Sequence, residues 1–538
     1  MSLRLLAFLS ACVLAFASGC GRQTATLPSH HGYLRAATYA DPSSLNPILA
    51  TNTSENFLAS LAFDFLVTVD DKGKDVPDLA AEVPTLENGG IAKDGKTITY
   101  TLRRGVKWQD GAPFSSADVK FSWQAIMNPQ NNVVERRGYD DVSSVDVPDD
   151  YTVVFHLKRA FAPFVDTVFG ESDDGFRVIP RHLLANYPNL NRVPFNALPI
   201  GTGPFKVVRW VRDDHIDYVA NPQYFRGKPR LDRIRVSIIA DDNTKNAEIR
   251  SHQLDLIVDL SSASYRDLQG VPDVKTVLVD APSYVSISMN LTHPPLDDVR
   301  VRQAIAYAVD ERRIVDTLTY GTGTLATEDL SPYYWAYDPN VTRYPFEPAR
   351  ANALLDAAGW RRGANGIRTK GGRPLSLQIV YGQGNVTAEQ LGVAVQSYLK
   401  RVGIDAPIKT YNYTTLFATK EMGGIYNGGK FDLALYSWVA GADPDDSSQW
   451  MCALTPPAGN NITHYCNPKM DAAQRLALTH FDRTTRKTAY ATAQELLARD
   501  VPAAFQYYLK RRYAISSGFQ HFTPNGISEG WKAYEWAI

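Results

Sequence analysis

The sequence predicts a mixed α/β protein that divides into two or three domains. Its 538 residues exceed what a single hydrophobic core usually organises. Segments with alternating apolar and polar residues, typical of strands, are interspersed with segments whose apolar residues recur every three or four positions, typical of helices. No fixed repeat period connects them, and the helical segments concentrate in the second half. The expected fold class is therefore α/β.

Three segments have the period-two pattern of strands and are rich in β-branched and aromatic residues. They are YTVVFHL at 151–157, FKVVRWV at 205–211 and IDYVAN at 216–221. Asp and Gly residues, which favour turns, separate them. We predict that these segments form sheet.

Three further segments have helical periodicity, namely residues 299–315, 347–360 and 387–402. The last begins with Thr387 and Gln390, spaced as a capping box, and stops at Gly403. The middle one has Pro348 near its first turn and Gly359 beyond its end, the positions at which these two residues favour a helix boundary.

Residues 90–97 read GIAKDGKT, which matches the spacing of a phosphate-binding loop. Such a loop needs a buried strand before it and a helix that starts at the Lys-Thr pair. Here a polar cluster ends at Gly90, and the alternation of residues 98–103 predicts a strand afterwards. Asp94 and Gly95 suit a tight hairpin turn. We therefore expect a hairpin and no nucleotide site.

The first 20 residues have the features of an export signal. Arg4 precedes an apolar run over 5–16, and small residues lead to Cys20. The run is shorter than the roughly 20 residues that a membrane-spanning helix needs. Small residues before Gly-Cys resemble a bacterial lipobox, which implies a signal peptide over 1–19, a lipidated Cys20 and a polar tether over 20–31. An ordinary cleaved secretory signal is the alternative.

The mature chain keeps two cysteines, Cys452 and Cys466. In an oxidising compartment they can pair, although two free thiols are the alternative. A zinc site is not favoured, because His464 and Cys466 lack a second ligand pair at finger-like spacing. We expect no metal site and no cofactor.

Charge and motif content restrict the function classes. Lys and Arg total 56 against 57 for Asp and Glu, so no basic stripe indicates nucleic acid or a polybasic membrane anchor. The G-x-S-x-G, H-E-x-x-H and G-x-G-x-x-G motifs do not occur. Asp443, Asp445 and Asp446 could serve as the acids of a glycosidase, but an Asp-rich turn around a Pro is more typical of a solvated loop or a helix start.

Residues 102–123 read LRRGVKWQDGAPFSSADVKFSW. This stretch closely resembles the signature of the extracytoplasmic solute-binding proteins of peptide/nickel-type ABC importers, family 5. We expect a structural role for it: a turn follows the strand, Trp108 and Phe114 pack against it, and Ser115 or Ser116 caps the next helix. Segments similar to the same family follow in the same order, at 41–47, 179–184, 199–210, 221–236, 289–315 and 498–508.

The resemblance implies a two-lobed periplasmic-binding-protein fold with a hinge and an extra third domain. The positions of the matching segments place lobe I at 32–58, 196–283 and 500–538, the extra domain at 59–195 and lobe II at 284–499. The spacing of Cys452 and Cys466 also resembles a disulfide loop of dipeptide-binding relatives.

The resemblance also implies a function. We expect a monomeric substrate-binding lipoprotein, anchored to a bacterial membrane in the periplasm or at the cell surface. It would capture an oligopeptide or dipeptide by hinge closure and deliver it to a permease driven by cytoplasmic ATPase subunits. Such a protein is not an enzyme, and a secreted hydrolase is the remote alternative.

The expected ligand contacts depart from the family pattern. Peptide-binding members place an Asp three residues after a Trp, where its carboxylate pairs with the peptide ammonium. Trp438 fits the Trp, but the third position after it is Gly441. We expect Trp438 and Tyr436 to line the pocket and Asp443 to serve as the anchor. Otherwise the ligand is a non-peptide solute: a sugar-containing compound, a modified peptide or a metal chelate.

Overall fold

A computed structural model describes residues 32–50, 53–172 and 175–538 of the chain. The predicted signal peptide, the tether and Cys20 lie outside the described residues. The strands are β1 Tyr33–Thr38, β2 Val67–Val69, β3 Asp75–Pro77, β4 Thr97–Thr101, β5 Val142–Asp149, β6 Thr152–Leu157, β7 Phe205–Val211, β8 His215–Ala220, β9 Arg233–Ile238, β10 Leu256–Ile257, β11 Val274–Met289, β12 Thr324–Leu325, β13 Arg361–Arg362, β14 Arg368–Lys370, β15 Arg373–Pro374, β16 Ile379–Gly382, β17 Ile408–Tyr411, β18 Leu433–Val439 and β19 Ala503–Ser516.

The helices alternate with these strands. They are α1 Thr53–Ala62, α2 Ser116–Met127, α3 Phe164–Thr167, α4 Arg181–Leu184, α5 Asp242–Arg250, α6 Ser262–Leu268, α7 Val299–Ala308, α8 Glu311–Leu318, α9 Pro348–Ala357, α10 Val386–Arg401, α11 Tyr413–Phe417, α12 Ser447–Trp450, α13 Pro468–Thr479 and α14 Arg483–Asp500. The expected α/β class is confirmed.

One large sheet runs through the molecule in the order β17-β16-β18-β11-β19-β10-β1-β9-β8-β7, and β12 pairs with β19. Strands β1 and β7 to β10 form the sheet of lobe I, and β16 to β18 form that of lobe II. Strands β4, β6 and β5 form a separate small sheet, which lies in the range predicted for the third domain. The two-lobed α/β arrangement agrees with the predicted fold.

Strands β11 and β19 connect the two lobes. They pair antiparallel, and the register shifts between Asp280 and Tyr284 of β11. Before this irregularity the pair lies on the side where β10 joins β19, and after it β18 joins β11. Two long strands thus cross from one lobe to the other side by side, which is the arrangement of a hinge.

The predicted strands at 151–157, 205–211 and 216–221 are confirmed as β6, β7 and β8. The predicted helix at 347–360 is α9, with Pro348 in its first turn and Gly359 at φ 86° after its end. The helix predicted at 387–402 is α10, but its cap is Asn385, whose side chain accepts from the Ala388 N–H. The predicted Thr387 cap is therefore wrong by two residues.

The single helix predicted over 299–315 is two helices. Val309 is extended, with φ −98° and ψ 129°, and α8 starts after Asp310. The Asp310 carboxylate accepts a hydrogen bond from the Arg313 N–H at 3.0 Å, so it caps a new helix. Apolar periodicity continues through the break and conceals it in the sequence.

The GIAKDGKT stretch forms the predicted hairpin. The Gly95 N–H donates to the Ala92 carbonyl at 2.8 Å, and Gly95 has φ 66°. The Asp94 carboxylate accepts from the Lys96 N–H at 3.0 Å, and strand β4 follows at once. The strand-loop-helix context of a phosphate site does not occur here.

The family signature at 102–123 has the expected structural role. Trp108 is buried, and its ring centroid lies 6.0 Å from that of Phe114. Ser115 is the cap of α2, and its N–H donates to the Asp118 carboxylate at 2.9 Å. The signature therefore fixes a turn, a helix start and part of a core.

Candidate functional site

Strand β18 carries both predicted aromatic site residues. Tyr436 and Trp438 are two positions apart and so lie on the same face of the strand. Their rings are nearly parallel, with centroids 6.4 Å apart and planes at 22°. Each ring lines a different cavity, which we call the aromatic cavity and the ion-paired cavity.

The aromatic cavity has a volume of about 240 Å³ and contains Tyr436 in its wall. Lobe II contributes most of the lining, while Ser262 of α6 and Arg512 of β19 come from lobe I and the crossing strands. Its aromatic members are Tyr381, Tyr413, Phe417, Tyr426, Tyr436 and Tyr507. Burial raises the pKa of Tyr436 above its ordinary value, so the ring carries a neutral hydroxyl.

The ion-paired cavity has a volume of about 100 Å³ and lies between the third domain and lobe II. Trp438 and the following loop form the lobe II wall. The charged residues in its lining are Glu135, Arg137, Asp166, Asp443 and Asp445. Three of these residues, Arg137, Asp443 and Asp445, form ion pairs within the protein.

Asp443 is 6% exposed and is paired with Arg486 of α14. The Nη2 group of Arg486 lies 2.7 Å from each carboxylate oxygen of Asp443. Burial raises the pKa of Asp443 although Arg486 opposes the shift. The Asp443 carboxylate therefore has a cationic partner inside the protein, and its role as the anchor of a ligand amine stays a prediction.

A second ion pair spans the cavity from the third domain to lobe II. The Arg137 guanidinium donates to the Asp445 carboxylate. Asp445 also accepts from the Ser447 N–H at 3.0 Å. This carboxylate thus has a cation and a backbone donor already.

Asp166, which lines the same cavity, lies beside a further carboxylate. Burial and the neighbouring Asp75 raise the pKa of Asp166 well above its ordinary value. Two carboxylates that share a hydrogen bond in a desolvated site favour retention of one proton. The neutral form of Asp166 is therefore favoured over its charged form.

Gly441 stands where the family pattern has its Asp. A Cβ atom built on Gly441 would lie 2.9 Å from the Cβ atom of Ser172, which belongs to the third domain. This distance is shorter than real contacts allow, so a side chain at 441 would displace Ser172. The third domain occupies the space that an anchoring carboxylate would need.

Cys452 and Cys466 form a disulfide, with Cα atoms 4.4 Å apart. It closes the loop that follows α12. In the described part of the chain, no three His, Cys, Asp or Glu side chains gather as a metal site requires. Among the same residues, no helix is both long and apolar enough to cross a membrane.

Sequence comparison places the chain among known proteins. Residues 75–460 match the model of the bacterial extracellular solute-binding proteins, family 5. The chain belongs to this family. The oligopeptide-binding protein AppA of Bacillus subtilis is 28% identical over 522 residues, which cover 96% of this chain and 93% of that protein. Heme-binding protein A of Haemophilus influenzae is 26% identical over 501 residues, which cover 89% of this chain and 88% of that protein.

Solved structures of the family have the same fold. NikZ of Campylobacter jejuni, in complex with Ni(L-His), has a TM-score of 0.79 and 26% identity, and the match covers 94% of this chain and all of NikZ. AppA of Bacillus subtilis, in complex with a nonapeptide, has a TM-score of 0.78 and 25% identity over 94% of this chain and 98% of AppA. Family 5 members with this fold thus bind chemically different ligands.

Sequence reasoning missed the arginines and the serine that decide the character of the ion-paired cavity. Arg137 and Ser172 come from the third domain and Arg486 from α14, far from Trp438 in the chain. No local spacing connects these residues. The one available signal was Gly441, whose missing side chain indicated that the usual anchor is absent.

Proposed function

We propose that this family 5 protein is the substrate-binding component of an ABC importer, which captures a short peptide or a peptide-like solute between its lobes. The observation that carries the proposal is the pair of crossing strands β11 and β19, with the aromatic cavity opening between them and lobe II. A ligand that contacts both lobes stabilises the closed form, and a permease can recognise that form.

A peptide ligand is supported by the relatives that bind peptides and by the size of the site. The aromatic cavity, at about 240 Å³, lies just below the usual range of small-molecule pockets, roughly 300–1,000 Å³. A short ligand suits this volume better than a long one does.

A specific observation favours the alternative of a solute without a free ammonium group. Arg486 holds both oxygens of Asp443, and Arg137 holds Asp445. Glu135 is exposed, and its charge acts on Arg137. A modified peptide, a sugar-containing compound or a metal chelate would not require an unpaired buried carboxylate near Trp438.

The remaining features of the proposal concern location and partners. We place a lipid on Cys20, which would hold the protein at a bacterial membrane and raise its effective concentration at the permease. The proposed partners are that permease and its cytoplasmic ATPase subunits, and the proposed state is a monomer. The role is binding without catalysis, consistent with a family of solute-binding proteins.

We also propose domain boundaries close to those predicted. Lobe I comprises 32–58, 196–283 and 500–538, the third domain 59–195 and lobe II 284–499. One adjustment follows from packing, because α1 runs unbroken from Thr53 to Ala62. The first boundary is better placed after that helix.

Mass spectrometry of the solutes that co-purify with the untagged protein tests the function. A mixed set of short peptides, released by mild denaturation, is the expected result. A single non-peptide compound would overturn the peptide proposal and support the alternative. Turnover of the bound compound by the purified protein would contradict the non-catalytic role.

A further inference from the structure

Two tyrosine rings of the aromatic cavity pack directly against glycines, in the space where another residue would have its side chain. A Cβ atom on Gly392 would lie 2.6 Å from Cε1 of Tyr381, and one on Gly382 would lie 2.7 Å from Cζ of Tyr413. Gly392 is inside helix α10, where Ala is normally preferred. Gly382 is in strand β16, where glycine commonly marks a close approach of another group. At both positions the residue has no side chain, and the tyrosine ring lies in the space that a Cβ atom would occupy.

Two of the rings that line this cavity are exposed. Tyr413 is 51% exposed and Phe417 is 48% exposed, and their planes are parallel within 4° with centroids 6.3 Å apart. Rings that pack for stability are usually covered, whereas these two lie open beside the cavity. The buried Tyr381 and Tyr436 continue the aromatic surface inward.

Arg512 gives the cavity one polar end. Its Nε donates to the Leu260 carbonyl at 2.7 Å, and its Nη1 donates to the Lys510 carbonyl at 2.8 Å. Among the described residues Nη2 has no hydrogen-bond partner. The guanidinium is therefore held by the backbone and retains donor capacity at Nη2, and Arg512 is one of the residues that line the cavity.

We propose that the aromatic cavity is a specificity pocket for a solute that carries an aromatic group, with an acceptor atom placed to meet Arg512. The proposal rests on the proposed peptide function, since the simplest such group is the side chain of Phe, Tyr or Trp. Aromatic rings prefer offset-stacked and edge-to-face contacts, which a wall of six rings provides from several directions. An aliphatic side chain of similar size would fill the volume without those contacts.

The test uses an equimolar pool of tripeptides Ala-Xaa-Ala, in which Xaa is Phe, Tyr, Trp, Leu, Ile or Val. The mature protein is freed of co-purified solute, equilibrated with the pool and separated, and the retained peptides are quantified by mass spectrometry. We expect enrichment of the aromatic over the aliphatic peptides by about tenfold. Equal retention of the two classes would overturn the pocket and leave the peptide function standing.

Two variants separate recognition from packing. In Gly392→Ala the new methyl group should push the Tyr381 ring into the cavity, so enrichment should fall below about threefold. Tyr413→Ala should have a similar effect on enrichment while the melting temperature stays close to wild type, because this ring is 51% exposed. Tyr187→Ala is the matched control, since this ring is 44% exposed in the third domain. Unchanged enrichment in both test variants would contradict the proposal. If no peptide of the pool is retained, the peptide function and this pocket for peptide side chains are both overturned.

Discussion

The two cavities on either side of Tyr436 and Trp438 differ in chemistry although a single strand supplies both rings. The ion-paired cavity is lined by charged residues whose partners are within the protein, such as the buried pair of Asp443 and Arg486. The aromatic cavity has rings in its wall and one arginine, Arg512, with spare donor capacity. A position next to a family's ligand residue therefore does not by itself make a polar group available to a ligand. A polar group is available to a ligand only when it is not already paired with another group of the protein.

The largest expected effect comes from removing one half of the buried pair. Asp443→Ala leaves the Arg486 guanidinium buried without its carboxylate, which should lower the free energy of unfolding by about 3–5 kcal/mol. Denaturant unfolding measures this loss. Asp316→Ala on the exposed face of α8 is the control and should stay close to wild type. Reduced ligand affinity with unchanged stability would instead restore Asp443 as the ligand anchor.

Restoring the family's Asp tests the contact between the third domain and lobe II. Gly441→Asp places a side chain where Ser172 now lies, so we expect a cost of about 1–3 kcal/mol from overpacking and a more open molecule. Unfolding curves and the radius of gyration from small-angle scattering measure the two effects. The double variant with Ser172→Gly should recover part of the loss. No recovery would show that the clash is not with Ser172.

The ion-paired cavity should also make stability depend on pH. The pKa of Asp166 is raised by burial and by Asp75, so the folded protein keeps a proton that the unfolded chain releases above roughly pH 4. Wild-type stability should therefore fall as pH rises from there towards the folded pKa. Asp166→Asn has no such proton to lose. Relative to wild type, its free energy of unfolding should increase with pH by up to about 1.4 kcal/mol per unit.

Unfolding experiments at pH 5 and pH 8 measure this difference. A relative stability of Asp166→Asn that stays constant between these two values would mean that Asp166 is ionised in the folded protein.

The smallest expected effect concerns the hydroxyl of Tyr436. Within the described residues this hydroxyl has no hydrogen-bond partner, so Tyr436→Phe should change the free energy of unfolding by less than about 0.5 kcal/mol. Retention of the aromatic tripeptides should also stay close to wild type, because the ring remains. A loss of affinity above tenfold would show that the hydroxyl contacts the ligand. The aromatic cavity would then bind its ligand through a polar contact as well as through its rings.

Much of the fold follows from local sequence. The alternation in 151–157 and 205–211 identifies β6 and β7, and the signature around Trp108 identifies a turn, a helix start and the family. The break at Asp310 was hidden, because an Asp that caps a helix looks like any polar residue on the exposed face of a longer one. The neighbouring apolar periodicity does not depend on whether the helix stops there.

The site was less predictable than the fold. Tyr436 and Trp438 could be selected from a strand pattern and a resemblance, and both line cavities. The pairing of Asp443 with Arg486 could not, because it depends on how α14 packs against a distant loop. Cavity walls assembled from three domains are set by tertiary packing, which local spacing does not encode.

A crystal structure of the protein with its co-purified solute would show which cavity holds the ligand. We expect electron density for the ligand in the aromatic cavity, with a ring against Tyr381, Tyr413 or Tyr436 and an acceptor near Arg512, while Asp443 remains paired with Arg486. A ligand ammonium bonded to Asp443, with Arg486 turned away and the aromatic cavity empty, would contradict this expectation.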